Sequence, residues 1–264
     1  MTLSVNTNTT ASSSARMLNI NHAQLQRSLT KLSTGKRINT PADDAGGLAV
    51  SMKMSAAIRR NVAVQNNVSN AIAYLQTQDG AMETFGNILE RISELKMLYQ
   101  DITKSASDKS NYTTEYKQLV AQLHNLQAEK FNNVRLFGAT LAAVAITEDG
   151  GQTVGLSIIN ITAVANTVSR ASLSGLTLAT VTTAIGNVAT YRAKNGASSN
   201  RLQYALDMLS INKVNLEAAN GRILDADIAS ESTEFAKLQI LSQANSAMLS
   251  QANLLPQAAL RLIS

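Results

Sequence analysis

The stretch KLSTGKRINTPADDAGGLAV, residues 31–50, decides the fold. It places three glycines, a proline and an adjacent pair of acids between two segments whose apolar residues recur at helical spacing. Upstream, Leu18, Leu25 and Leu32 form a heptad row with Leu29 beside it. The row stops at Gly35, which adopts the left-handed conformation of a helix C-cap at little cost. Downstream, Thr40-Pro41-Ala42-Asp43 reads as a helix start. Thr40 can cap, Pro41 suits the first helical position, and Asp43 sits where a capping box places its acid. The stretch therefore ends one helix and begins another.

From Asp43 the helical pattern continues for about sixty residues without proline, a span of roughly 90 Å at 1.5 Å per residue. One heptad row is Val68, Leu75, Met82 and Leu89; a second alternation runs Ile88, Ile92, Leu95, Tyr99 and Ile102. Gly46, Gly47, Gly80 and Gly86 are positions where that helix could be interrupted. KSASDKSNY, residues 104–112, reads as a polar turn. A third helix is expected from Thr113 to Lys130, with Tyr116, Leu119, Leu123 and Leu126 on one face, ending at FNNVRLFGAT. Residues 139–176 change character: β-branched runs flank Glu148-Asp149-Gly150-Gly151, and Asp-Gly is a strong hairpin signal. Helical periodicity returns near residue 177 with Leu202, Leu209, Leu216 and Ile223 seven apart. A last helix carries Leu241, Met248 and Leu255 at the same interval, and Pro256 is expected to bend or end it. The fold class is thus mainly α, with helices of rod length and one small β-hairpin insert.

Composition supports slender packing. Across 264 residues, 45% are hydrophobic but only 4% aromatic, with no Trp, so the core is built from aliphatic side chains. The net charge of +5 is mild, and its distribution says more than its sum. No Asp or Glu precedes Asp43 and none follows Glu234, so the two ends share an acid-free composition. The absence of cysteine excludes disulfides and thiolate chemistry. No stretch reaches the ~20 apolar residues of a membrane span, and the N-terminus lacks the apolar core of a secretory signal.

The candidates for chemistry are weak. Gly35-Lys36 lacks the Walker spacing, because Thr30 stands where the first glycine belongs and Arg37 follows the lysine. Asp43 and Asp44 point about 100° apart if helical, and acids at a helix N-terminus are favoured by its dipole without any catalytic role. His22 and His124 belong to unrelated helices, and neither a metal-protease nor a nucleophile motif occurs. Neither cofactor nor metal is expected, nor a catalytic residue, a nucleic-acid partner or a membrane partner.

The opening stretch resembles the signature of the bacterial flagellin family, [RK]-L-S-[ST]-G-x-[RK]-I-N followed by D-D-A-A-G-x-A. Leu32, Ser33, Thr34, Gly35, Arg37, Ile38, Asn39, Asp43, Asp44, Ala45, Gly47 and Ala49 match it, while Gly46 replaces the usual alanine. SQANLLPQAALRLIS at the other end is similar to the family's terminal A-Q-A-N-x-x-P-x-x-x-L-x-L. NLEAANGRILDADIASESTEFAKLQIL is similar to its N-L-x-A-A-x-S-R-I-x-D-x-D-x-A-x-E. The likeness covers roughly 1–138 and 177–264.

The resemblance implies a structural subunit that polymerises into the extracellular filament of the bacterial flagellum, for motility and not catalysis. It implies an inner coiled-coil domain at 1–40 and 222–264 and an outer helical rod at 41–138 and 177–221. The insert 139–176 leaves room only for a hairpin and linker. The opening stretch becomes a joint made by Gly35, Arg37, Ile38, Asn39, Asp43 and Asp44. Leu18, Leu25, Leu29, Leu32, Leu238, Leu241, Met248 and Leu255 are assigned to packing in the filament. Implied partners are further copies of the chain, the hook-junction and filament-cap proteins, and a flagellin export chaperone at the C-terminal helix. The resemblance also implies export without a cleaved signal peptide. Receptor-active flagellins carry L-Q-R-x-R-E-L-A on the long helix; here Arg91, Glu94 and Leu95 match, and are the expected Toll-like receptor contacts. Ser93 and Lys96 depart from that motif, which implies weaker signalling. The alternative is a hook–filament junction protein with the same helical ends.

Overall fold

The computed structural model describes residues 7–138 and 143–263, with side chains up to Leu254. In chain order the elements are α1 (Thr9–Thr34), α2 (Ala45–Gln100), α3 (Ala106–Gln127), β1 (Lys130–Phe131), β2 (Val134–Arg135), β3 (Val144–Ala145), β4 (Thr153–Val154), α4 (Ile161–Ser169), α5 (Leu178–Leu224) and α6 (Ile228–Ile263). They fall into two compact units. Unit 1 is built from the two ends of the chain, up to Ala56 and from Leu216; unit 2 is Ala57–Asn215.

Unit 2 holds the main core. The heptad row Val68, Leu75, Met82 and Leu89 is buried along its length, joined by Phe85, Ile92 and Leu95 from the same helix. Leu123 of α3, Val168 of α4, and Leu202 and Leu209 of α5 close the cluster. Three polar ties fix the register of α5 against α2. Arg192 donates to Asp79 at 3.0 Å, and Asn195 Nδ2 donates to the Leu75 carbonyl at 2.8 Å. Lys96 Nζ donates to the Leu173 and Ser174 carbonyls, each at 3.1 Å, just before α5 begins. As residue numbers rise on one helix they fall on the other, so the two run antiparallel.

Tyrosine hydroxyls pin the irregular segments to this core. Tyr74 Oη lies 2.9 Å from the Arg135 carbonyl, and Tyr116 Oη lies 2.7 Å from the Val168 carbonyl. Gln78 Nε2 also donates to the Leu136 carbonyl. Desolvation raises the pKa of both tyrosines, so they stay protonated donors.

Several expected boundaries move. Helix α2 runs unbroken through Gly46, Gly47, Gly80 and Gly86. The expected turn at 104–112 is mostly helix, because Ser105 and Asp108 form a reciprocal capping box that starts α3 at Ala106. Ile102 lies past the end of α2 and is 95% exposed, so it leaves the row to which its spacing assigned it. After α3 comes a hairpin the sequence did not announce, β1 paired antiparallel with β2. Its two-residue turn places Asn132 and Asn133 at φ 46° and 64°, the left-handed region that asparagine tolerates best after glycine.

The segment 139–176 contains the hairpin expected around Asp149-Gly150, with strands of only two residues. Residues 139–142 lie outside the described part. The rest is more than hairpin and linker: α4 buries Ile161, Val164, Ala165 and Val168 against α3 and the core. Helix α6 continues past Pro256 to Ile263. Of the bend or end expected there, the end does not occur, although proline forfeits one hydrogen bond of the ladder.

Candidate functional site: a double joint and the faces beside it

The joint closes from both ends of the chain. Gly35 takes φ 68° and its N–H donates to the Lys31 carbonyl at 2.9 Å, ending α1 in a left-handed cap. At the same level α5 gives way to α6. The two breaks hold one another: Arg37 N–H donates to Leu224 O at 2.6 Å and Ala226 N–H to Gly35 O at 2.9 Å. Lys36 and Asp225 form the antiparallel bridge between them. The Arg37 guanidinium adds a bond of 2.9 Å to the Ile223 carbonyl, which α5 leaves free at its C-terminus. Lys31 and Glu231, 3.6 Å apart, link α1 to the first turn of α6.

The two acids of the joint divide the labour differently from the sequence reading. Asp43 does not serve a helix capped by Thr40. Its Oδ2 accepts from Asn39 N at 3.1 Å, Thr40 N at 2.9 Å and Thr40 Oγ1 at 3.0 Å, closing a tight turn. The Thr40 and Asn39 amides, aided by the Thr40 hydroxyl, hold its carboxyl below the ordinary carboxylate range. Asp44 is the true cap of α2, its Oδ1 accepting from Gly47 N at 2.8 Å. Thr40 fails as cap because Pro41 to Asp43 spend themselves on that turn, and α2 begins only at Ala45.

Close packing explains two glycines. A Cβ on Gly47 would stand 2.4 Å from Asp44 Oδ2 and 2.8 Å from the Cδ1 of Ile38, which is buried in the joint. A Cβ on Gly221 would meet Asp225 Oδ2 at 2.7 Å. On the other strand of the bridge, Asp227 Oδ1 caps α6 by accepting from Ala229 N at 3.0 Å and Ser230 N at 3.3 Å. Sequence reasoning found residues 35–44 and missed 221–227. The signal was present in Asp225-Ala-Asp227, a capping acid placed directly after the heptad ending at Ile223.

Helices α1 and α6 pack on each other. Near the far end Asn8 caps α1 through Ala11 N and donates to the Ala252 carbonyl at 2.8 Å. Of the residues assigned to filament packing, Leu238 is buried and Leu18, Leu25 and Leu32 are half-buried within the single chain. Leu29, Leu241 and Met248 are exposed. The side chain of Leu255 lies outside the described residues.

The long-helix stretch around Arg91 is less available than its motif suggests. Arg91 Nε donates to Glu115 at 2.7 Å and its Nη1 to Glu94 at 3.0 Å. Leu95 is fully buried in the core, so it shapes the surface from beneath and offers no contact of its own. Lys96, which departs from the motif, is buried: its ammonium is turned inward onto two carbonyls and lies 5.8 Å from the centre of the Tyr99 ring.

His22 and His124 stand on α1 and α3, and among the described residues no three His, Cys, Asp or Glu side chains gather as metal ligands. Among the same residues, no helix is long and apolar enough to cross a membrane.

Comparison with known proteins gives matches at both ends. Residues 5–142 match the family described as the bacterial flagellin N-terminal helical region, and residues 178–263 match the bacterial flagellin C-terminal helical region. The chain is 33% identical to a flagellin of Halalkalibacterium halodurans, over 98% of this chain and 99% of that one. It is 32% identical to the flagellar filament 30.7 kDa core protein of Treponema maltophilum, with the same coverage. It is also 33% identical to the flagellin of Bacillus subtilis, again over 98% and 99% of the two chains.

Proposed function

The chain belongs to the bacterial flagellin family, and from that premise we propose how its parts serve assembly. It is a structural subunit of the flagellar filament, an extracellular polymer of copies of itself. The observation that carries this conclusion is the pair of family matches at both ends together with relatives aligned over nearly their whole length. The same coverage disfavours the hook-junction alternative.

In our reading, residues 1–40 and 222–264 form the inner coiled-coil domain, and 41–138 with 177–221 the outer one. Several observations support it. The acid-free ends suit a wall past which unfolded chains travel. The exposed Leu29, Leu241 and Met248 leave apolar surface for neighbours after α1 and α6 have paired. The double joint transmits the position of one end to the other, since both helices break at one bridge. Export without a cleaved signal peptide, contacts with hook-junction and cap proteins, and a chaperone at α6 follow from the same reading, as does the lack of catalysis. For the receptor, Arg91 and Glu94 remain the surface contacts, with Leu95 supporting them from the core.

The test is electron microscopy of sheared surface appendages with mass spectrometry of their main component. This chain is expected as the dominant protein, and filaments should vanish when its gene is deleted. Detection only at a few copies per filament would favour the junction protein.

A further inference from the structure

Asparagine is followed directly by glycine twice in the sequence, at Asn195-Gly196 and Asn220-Gly221, and both pairs lie in α5. This dipeptide carries chemistry of its own. The glycine amide nitrogen attacks the asparagine Cγ, forming a C–N bond and expelling the side-chain nitrogen as ammonia. Water then opens the resulting succinimide at either carbonyl, leaving aspartate or isoaspartate. Glycine favours the attack because it has no Cβ to obstruct the approach and its backbone rotates freely. A helix opposes it in two ways. The glycine N–H is bonded to the carbonyl one turn back, and ring closure needs an asparagine ψ far outside the helical range.

Each pair is therefore as inert as the helix around it is stable, and the two stand in unlike places. Asn195 lies well inside α5, 3% exposed, with its Nδ2 donating to the Leu75 carbonyl at 2.8 Å. Asn220 is half-buried and stands one turn before the end of the helix at Leu224. Its Nδ2 reaches Ser55 Oγ at a long 3.4 Å, and among the described residues its Oδ1 is buried without a partner. The end of α5 beyond it is held by Arg37, whose N–H donates to Leu224 O and whose guanidinium donates to Ile223 O. When those bonds open the last turn frays, and the ladder that protects Gly221 goes with it.

We propose that Asn220-Gly221 is a deamidation site gated by the joint, while Asn195-Gly196 in the same helix is shielded. The inference goes beyond the filament reading and does not depend on it. The two products differ in consequence. Aspartate at position 220 leaves the main chain unchanged, and the Ser55 hydroxyl can turn to donate to it. Isoaspartate routes the main chain through the former Cβ, adding one carbon to the backbone just before the bridge of Lys36 with Asp225. That insertion breaks the helical register. The reaction thus leaves a covalent record of how long the joint has stood open, and then holds it open.

The test follows the full-length folded chain in dilute solution at mildly alkaline pH by peptide mass spectrometry. Deamidation replaces an amide by a carboxyl and is read as a gain of one mass unit, and an isoaspartate-specific methyltransferase labels the isomer. Peptides holding Asn220 should convert roughly tenfold faster or more than those holding Asn195, because opening near a helix end needs less free energy than opening in the core. In denaturant the two should convert at similar rates. Arg37→Ala should speed conversion at Asn220 several-fold and leave Asn195 unchanged. Equal rates at the two positions in the folded chain would overturn the proposal, as would an Asn220 that stays intact while the denatured chain converts. Asn195 reports general unfolding in the same sample. A rise at both positions in Arg37→Ala, or no rise at Asn220, therefore counts against gating by the joint.

Discussion

At Gly35 the strain of a side chain would come from the backbone alone, since nothing lies within 4 Å of where a Cβ would stand while φ is 68°. Gly35→Val should therefore cost about 1–2 kcal/mol and loosen the end of α1, visible as faster amide exchange at residues 28–38. Gly47 is constrained in the opposite way, by space. Gly47→Ala drives a methyl into Asp44 and Ile38 and should destabilise the joint, whereas Gly46→Ala meets Asp44 Oδ1 only at an ordinary 3.5 Å and should be tolerated. Gly80→Ala enters open space and should stabilise α2 by about 0.5–1 kcal/mol. Thermal melts of the three alanine variants would expose any reversal of that order. Asp43 gives the joint its pH dependence. Its folded pKa lies below the ordinary 3.8, so the carboxylate's contribution is complete above about that pH and is lost as pH falls through the lower folded value. The amides of Asn39 and Thr40 should shift in NMR spectra only below about pH 4, and Asp43→Asn should abolish that shift. Adjacent acids were legible as a helix start, but which of them caps was not. That choice depends on where Pro41 sends the backbone, not on residue type.

Helices show where pattern reading succeeds and where it stops. The row Val68, Leu75, Met82 and Leu89 was legible because burial repeats with the sequence, and all four are in the core. Helix α4 was not, because INITAVANTVS is rich in β-branched residues that favour strands. Its spacing was nonetheless helical: Ile161, Val164, Ala165 and Val168 stand at i, i+3, i+4 and i+7, and burial against α3 overrides propensity. The second half of the joint was hidden for a different reason. It is a pairing between residues far apart in sequence, and spacing carries no information about that. At the start of α3, Ser105→Ala removes one side of a capping box and should cost about 1 kcal/mol, read as a lower unfolding midpoint with the native far-ultraviolet spectrum retained.

Across the whole chain the two units are unequal. Nearly all of the buried large side chains belong to unit 2; in unit 1 the described ones are Ile38 and Leu238, with Ser28, Ser51 and Ala252 as smaller members. Ordering each residue costs about 1–2 kcal/mol of backbone entropy, while burying one large aliphatic side chain returns about 1.5–3 kcal/mol. In the dilute monomer, residues 9–33 and 235–254 should exchange their amides quickly while the α2 and α5 cores stay protected. Polymerisation should slow exchange at the ends. Strong protection of α1 in the monomer would contradict this. The bond from Asn8 to Ala252 spans 244 positions of sequence, and this has a consequence for the order of events. Closing so long a loop in an unfolded chain costs about 5 kcal/mol. Folding of unit 2 removes most of that cost beforehand, because its antiparallel register returns residue 215 to the side of residue 57. Nor can α1 meet α6 until everything between them has emerged. The chain thus carries its own clock: the polymerising ends become available to each other last, and pair at low cost only once the intervening segment has folded.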